Sequence, residues 1–182
     1  GGFRVKPYLI TSIKDTDGKI IHMTTPEPPV QVISPQLAYL MNNALKENIK
    51  SGTGFRARKL GREDLAGKTG TTNDWIDAWY SGFNRDVVAT AWVGFDEIKT
   101  LREFGAQASL PMWMYFMEVV LKDKPEHSLE QPPGLVTVKI DPSTGLLARA
   151  GQENAIYEVF LEDNAPNSTS SWSILGGGES AP

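Results

Sequence analysis

Between Asp64 and Asp96, three runs rich in Trp, Tyr, Val and Thr follow one another with little between them. They are Leu65–Thr72, Ala78–Phe83 and Val87–Phe95, separated by turn residues at Asn73-Asp74 and at Asn84-Arg85-Asp86. Residues of this kind favour a pleated, half-buried strand, and Asn and Asp favour the turns that join strands. Parallel neighbours need a crossover of a dozen or more residues, so connections this short force antiparallel pairing. The chain must therefore be built around a three-stranded antiparallel meander.

Helices flank it. Ser34-Pro35 is a helix start, with Ser as N-cap and Pro at the first helical position. Leu37, Leu40, Met41, Ala44, Leu45 and Ile49 then recur at helical spacing, one apolar stripe expected to face a core, until Gly52 and Gly54 stop it. Ser109 and Pro111 are read as opening a second helix, with Trp113, Phe116, Met117, Val120 and Leu121 on its inner face. The expected class is α+β, an antiparallel sheet with helices packed on it.

Elsewhere, Tyr8–Ile13 and Lys19–Met23 around Asp17-Gly18 predict a hairpin, and Pro26, Pro28 and Pro29 an extended linker. Leu135–Ile140, closed by Asp141-Pro142-Ser143-Thr144-Gly145, predicts a strand, and Tyr157–Leu161 one more. From Asn164 the chain turns to Ser, Gly, Asn and Pro, and residues 165–182 are expected to be a disordered tail. Lys46 to Arg62 carries six basic residues against one acid, Glu47, and fits either a solvated loop or a rim for an anionic ligand.

Composition removes several classes of function. There is no cysteine, hence no disulfide, thiolate nucleophile or zinc ribbon. The two histidines, His22 and His127, stand in unrelated contexts, which excludes a multi-His metal site and disfavours a Ser-His-Asp triad. A net charge of −4 offers no nucleic-acid footprint. The longest apolar stretch, Leu110–Leu121, is 12 residues long and contains Glu118, too short for a membrane span. The chemistry left belongs to Lys, Ser, Thr, Tyr and carboxylates, and no cofactor or metal is implied.

One segment carries chemistry: Gly67-Lys68-Thr69-Gly70-Thr71-Thr72. It is not a phosphate loop, because position 62 is Arg where that pattern needs Gly, and no helix follows. On a strand, alternation puts Lys68 and Gly70 on one face and Thr69 and Thr71 on the other. Gly70 lets another backbone approach, so an edge strand here could take a peptide by β-augmentation. Thr69 and Thr71 could give hydroxyls to a carboxylate, Lys68 a fixed positive charge, and an N–H near Thr71 an oxyanion-hole donor.

The wider run from Asp64 through Lys68-Thr69-Gly70-Thr71 and Asp77-Ala78-Trp79-Tyr80 to Asn84 resembles the third and fourth sheet strands of penicillin-binding transpeptidases. The likeness is to the bifunctional class A enzymes of cell-wall synthesis. Gly2-Phe3 with Lys6-Pro7-Tyr8-Leu9-Ile10, Ser34-Pro35 with Ala38-Tyr39-Leu40-Met41, Gly52-Thr53-Gly54 and Ala91-Trp92-Val93-Gly94-Phe95-Asp96 extend it. So do Pro132-Pro133-Gly134, Ile140-Asp141-Pro142 and Thr144-Gly145, so that it spans residues 2 to 162.

The resemblance implies a D,D-transpeptidase of the bacterial cell envelope, on the periplasmic side of the inner membrane. Such an enzyme acylates a Ser with the D-Ala-D-Ala end of a peptidoglycan stem peptide, cross-links it to an amine, and is acylated by β-lactams. It implies that Lys68 holds a relay Ser, that Thr69 and Thr71 bind the carboxylate, that Gly70 permits close approach, and that the Thr71 N–H completes the oxyanion hole. The family's Ser-x-x-Lys and Ser-x-Asn are absent from this sequence. Residues 1–164 are therefore expected to be the C-terminal half of the domain. The partner would be the upstream half carrying the catalytic Ser, with membrane attachment only through a missing N-terminal anchor. Two alternatives share the Lys-Thr-Gly strand: a serine β-lactamase and a non-catalytic β-lactam sensor domain.

Overall fold

The structure, a computed structural model, describes residues 1–169. It divides into two compact units, Gly1–Glu130 and the segment from Gln131 onward.

In the first unit, β1 (Phe3–Arg4), β2 (Ser12–Lys14), β3 (Ile20–Met23) and β4 (Val30–Gln31) precede α1 (Pro35–Lys50). Then come β5 (Ala66–Thr71), β6 (Ala78–Phe83), β7 (Val88–Val93) and α2 (Gly105–Val120). The meander forms as expected, antiparallel in the order β5-β6-β7. Its second turn closes through Asn84, whose side-chain oxygen accepts from the N–H groups of Asp86 and Val87 at 3.0 and 2.9 Å.

The helices cover the sheet face that carries Ala78, Tyr80 and Gly82, α1 against β5 and α2 against β6 and β7. Ile49, Leu65, Tyr80, Leu110, Trp113, Met117 and Leu121 form the core there. Trp113 packs against Gly82 and donates its indole N–H to the Gly82 carbonyl at 3.2 Å. A Cβ on Gly82 would stand 2.7 Å from Trp113 Cε2, so this position has no room for a side chain. On the opposite face Trp79 and Trp92 pair with ring centroids 6.0 Å apart, and the Trp92 indole donates to Asp77 Oδ1 at 2.8 Å.

Several expectations need correcting. The α1 stripe does not face a core along its length: Ile49 is buried, whereas Leu37 is 50% and Met41 60% exposed. Only the C-terminal turn of α1 reaches the sheet-side core. α2 begins at Gly105, and its N-cap, Phe104, makes no side-chain capping bond. Ser109 and Pro111 are interior to α2, and Ser109 is fully buried. As an interior proline, Pro111 removes one intrahelical N–H and its ring crowds the carbonyl four residues back. Leu110 joins the inner face of α2, while Phe116 is half exposed. The hairpin strand is shorter than Tyr8–Ile13, with Asp15 Oδ1 accepting from the N–H groups of Asp17 and Lys19 to close the turn at Gly18 (φ 81°). The Pro-rich linker returns the chain so that Val30–Gln31 pairs with Phe3–Arg4, a contact between segments too short for any pattern to reveal.

The second unit is an antiparallel pair, β8 (Leu135–Ile140) with β9 (Ile156–Leu161). The turn after β8 is closed by Gly145 N–H donating to the Asp141 carbonyl at 2.8 Å. Of the expected tail, residues 165–168 carry no helix or strand and Thr169 bridges to Leu147; residues 170–182 lie outside the described residues.

Candidate active site

β5 is the outer strand of its sheet, and its other edge is unpaired among the described residues. Its register pairs Lys68 with Ser81 and Gly70 with Trp79, and pairs Thr69 with Tyr80 and Thr71 with Ala78. Directly opposed residues share a face, so Thr69 and Thr71 lie on the helix side and Lys68 and Gly70 on the other. The Lys68 ammonium nevertheless bends round the edge, donating at 3.1 Å to both the hydroxyl and the carbonyl of Thr69. A long flexible side chain at an edge can reach the far face in this way.

Backbone direction follows from one hydrogen bond. The Thr72 N–H points inward, to the Asp77 carbonyl at 3.0 Å. N–H groups alternate along an antiparallel strand, so that of Thr71 points out of the open edge, where a developing oxyanion could take it.

The first turn of α2 closes the site. The Gly105 N–H donates to the Thr71 hydroxyl at 3.2 Å. Because an N–H can only donate, the Thr71 hydroxyl hydrogen stays available for an acceptor. Thr53, in the loop after α1, places its hydroxyl 2.7 Å from that of Thr69. Thr53, Lys68, Thr69, Thr71, Phe104 and Gly105 line one cavity of about 390 Å³. Above it Trp75 meets Phe104 edge-on, centroids 5.7 Å apart, on a turn where Asp74 and Trp75 both take positive φ (57° and 53°). Left-handed backbone at two successive non-glycine residues stores strain next to the site.

Lys68, Thr69 and Thr71 thus come together. The space left by its missing Cβ holds Trp79 Cβ, 3.2 Å from where a Gly70 Cβ would lie. Within the chain itself, close backbone approach occurs at Gly105, whose Cβ would stand 2.7 Å from the Gly70 carbonyl. Thr53 and the start of α2 were not anticipated as site elements, although Gly52-Thr53-Gly54 belongs to the resemblance. The basic stretch is neither loop nor rim throughout: Phe55–Leu60 forms a 3-10 turn with Ala57 buried, Arg56 donates to the Ala106 carbonyl, and Arg58 stacks over Phe55.

Behind the site Arg62 and Asp64 form a buried pair that also takes Asn84 Nδ2 at 3.1 Å. Burial pushes the Asp64 carboxyl up, but the hydrogen bonds from Arg62 and Asn84 outweigh it and hold the group below its ordinary value. Burial alone pushes the Tyr80 phenol well up. Among the described residues no helix is long and apolar enough to cross a membrane.

An outer strand carrying Lys-Thr-Gly-Thr, in an antiparallel sheet packed on helices, defines a class, and comparison agrees. The chain belongs to the family described as "Penicillin binding protein transpeptidase domain", which matches residues 1–101. It is 36% identical to penicillin-binding protein 1A of Pseudomonas aeruginosa over 92% of this chain and 27% of that protein. It is 42% identical to penicillin-binding protein 1A of Escherichia coli K12 over 74% of this chain and 18% of that protein. The crystal structure of penicillin-binding protein 1A from Haemophilus influenzae superposes with a TM-score of 0.87 at 33% identity, covering 94% of this chain and 31% of that one. The chain therefore spans less than a third of each of these proteins.

Proposed function

We propose that this chain is the C-terminal half of a peptidoglycan D,D-transpeptidase domain, at the periplasmic face of the bacterial inner membrane. The upstream half would supply the nucleophilic Ser, its Ser-x-x-Lys partner, the Ser-x-Asn relay and, further upstream, a membrane anchor. The observation that supports the reading is the Lys68–Thr69–Thr71 edge with its outward Thr71 N–H, lining a cavity together with Thr53, Phe104 and Gly105.

In the reaction, the stem-peptide donor lies along the open edge of β5. Thr69 and Thr71 donate their hydroxyl hydrogens to its terminal carboxylate, and Lys68 provides positive potential and holds the relay Ser. The upstream Ser attacks the penultimate D-Ala carbonyl, and the Thr71 N–H stabilises the oxyanion. D-Ala leaves with a proton, and an amine of a neighbouring stem then takes the acyl group from the Ser. β-Lactams enter by the same carboxylate contacts and stay as acyl-enzymes. The uncovered side of α1, with Leu37 and Met41, gives the upstream half an apolar surface to pack on.

The experiment uses the complete domain, with the upstream half restored. A stable adduct with a fluorescent penicillin, and transfer of a D-Ala-D-Ala donor to an added amine, are expected. Rapid turnover of the chromogenic cephalosporin nitrocefin would instead identify a β-lactamase, and acylation without transfer a sensor.

A further inference from the structure

We propose that Asn48 and Thr53 are positioning residues of the carboxylate site, which fix the Thr69 hydroxyl as a hydrogen-bond donor facing the incoming carboxylate. The inference deepens the function proposed above and rests on it.

The relay is continuous. Asn48, near the end of α1, donates from Nδ2 to the Thr53 hydroxyl at 3.2 Å. Thr53 Oγ1 lies 2.7 Å from Thr69 Oγ1, which also receives the Lys68 ammonium at 3.1 Å. The loop holding Thr53 is clamped to the helix end, with the N–H groups of Gly52 and Gly54 both donating to the Asn48 carbonyl at 3.0 and 3.2 Å.

The direction of the relay follows from what each group can do. Asn48 Oδ1 is buried without a hydrogen-bond partner among the described residues, and so is the Tyr80 hydroxyl. Both oxygens border one point: a Cβ on Gly54 would lie 2.8 Å from Asn48 Oδ1 and 3.0 Å from the Tyr80 hydroxyl. The amide nitrogen is the atom on the Thr53 side, and the amide oxygen lies on the Tyr80 side. An amide nitrogen only donates, so Thr53 Oγ1 accepts from it and keeps its own hydrogen, which we assign to Thr69 Oγ1 at 2.7 Å. The ammonium of Lys68 also only donates. Thr69 Oγ1 then accepts twice, its lone pairs are filled, and its single hydrogen must find an acceptor elsewhere, in the cavity. Without Thr53 the hydroxyl is free to rotate away from the carboxylate.

The test compares Thr53→Val, which keeps the shape and removes the hydroxyl, with Thr53→Ser, which restores it, in the complete domain. The concentration dependence of acylation by a penicillin, and by its methyl ester lacking the carboxylate, separates binding from the chemical step. Thr53→Val is expected to weaken penicillin binding about five- to tenfold with the limiting acylation rate retained, as for one lost hydrogen bond. Thr53→Ser should restore binding, and the methyl ester should not distinguish the variants. Asn48→Asp, which replaces the donor by an acceptor, should weaken binding as Thr53→Val does. An unacylated wild-type domain overturns the transpeptidase reading and this assignment with it. An acylated domain in which Thr53→Val binds penicillin normally, or loses the methyl ester equally, overturns the assignment of Thr53 alone.

Discussion

Arg62 and Asp64, two residues apart, form a two-pronged ion pair, Nε to Oδ1 at 2.9 Å and Nη2 to Oδ2 at 2.8 Å. Arg62 also donates to the carbonyls of Lys124 and Pro125 at 2.9 and 3.2 Å, and Asp64 accepts from Asn84 at 3.1 Å. The pair ties the entry to β5, the β6–β7 turn and the chain after α2 into one unit. Its side chains are 13% and 1% exposed, so removing one charge strands the other. Arg62→Ala should cost about 3 kcal/mol of stability, read by urea unfolding of the complete domain.

The same pair sets a pH dependence. The folded carboxyl of Asp64 is held below its ordinary value, so its contribution is present above the unfolded pKa, about 3.9, and is lost as pH falls through the lower folded value. Wild type should therefore exceed Asp64→Asn in stability at pH 7, and the gap should shrink below about pH 4. A gap that widens with acid would contradict this ion-pair account.

Gly82 offers a packing test. A Cβ there meets the buried Trp113 ring, 2.7 Å from Cε2, and the ring also has its indole N–H bonded to the Gly82 carbonyl. Gly82→Ala must displace the centre of the core and should cost about 1–3 kcal/mol, visible as a lower unfolding midpoint. Gly82 does not take a positive φ, so the penalty there is the clash itself.

Thr71 separates a side chain from its backbone. The hydroxyl is proposed to hold the carboxylate, whereas the outward N–H is unchanged by substitution. Thr71→Ala should weaken β-lactam binding by about 1–2 kcal/mol and leave substantial acylation, read from the concentration dependence of acylation rates. A loss of the limiting rate with binding intact would assign the hydroxyl to the chemical step.

How much of this was legible in the sequence depends on range. The meander was, because alternation and tight Asn/Asp turns are local, and so was the Ser34 cap, whose hydroxyl accepts from the Leu37 N–H at 3.2 Å. The start of α2 was not: Ser109-Leu110-Pro111 imitates an N-terminus, whereas the observed one has Phe104 as N-cap with no capping side chain. The α1 stripe was visible, but periodicity says which residues share a face and not what covers it. At the site, Lys68, Thr69 and Thr71 declared themselves as a motif. Thr53 could not, since its partner lies 16 residues away across a loop that only the fold closes.

The central claim, that the β5 edge binds and activates an acyl donor, is tested most directly through Lys68. The measurement is the acylation rate of the complete domain by a fluorescent penicillin, in Lys68→Ala and in the surface control Lys122→Ala. Losing the charge that attracts the donor and holds the relay should cost about as much as an oxyanion-hole donor, roughly 10²-fold or 3 kcal/mol. Lys122→Ala should match wild type. If Lys68→Ala is acylated as fast as the control, β5 is scaffolding and the site lies elsewhere.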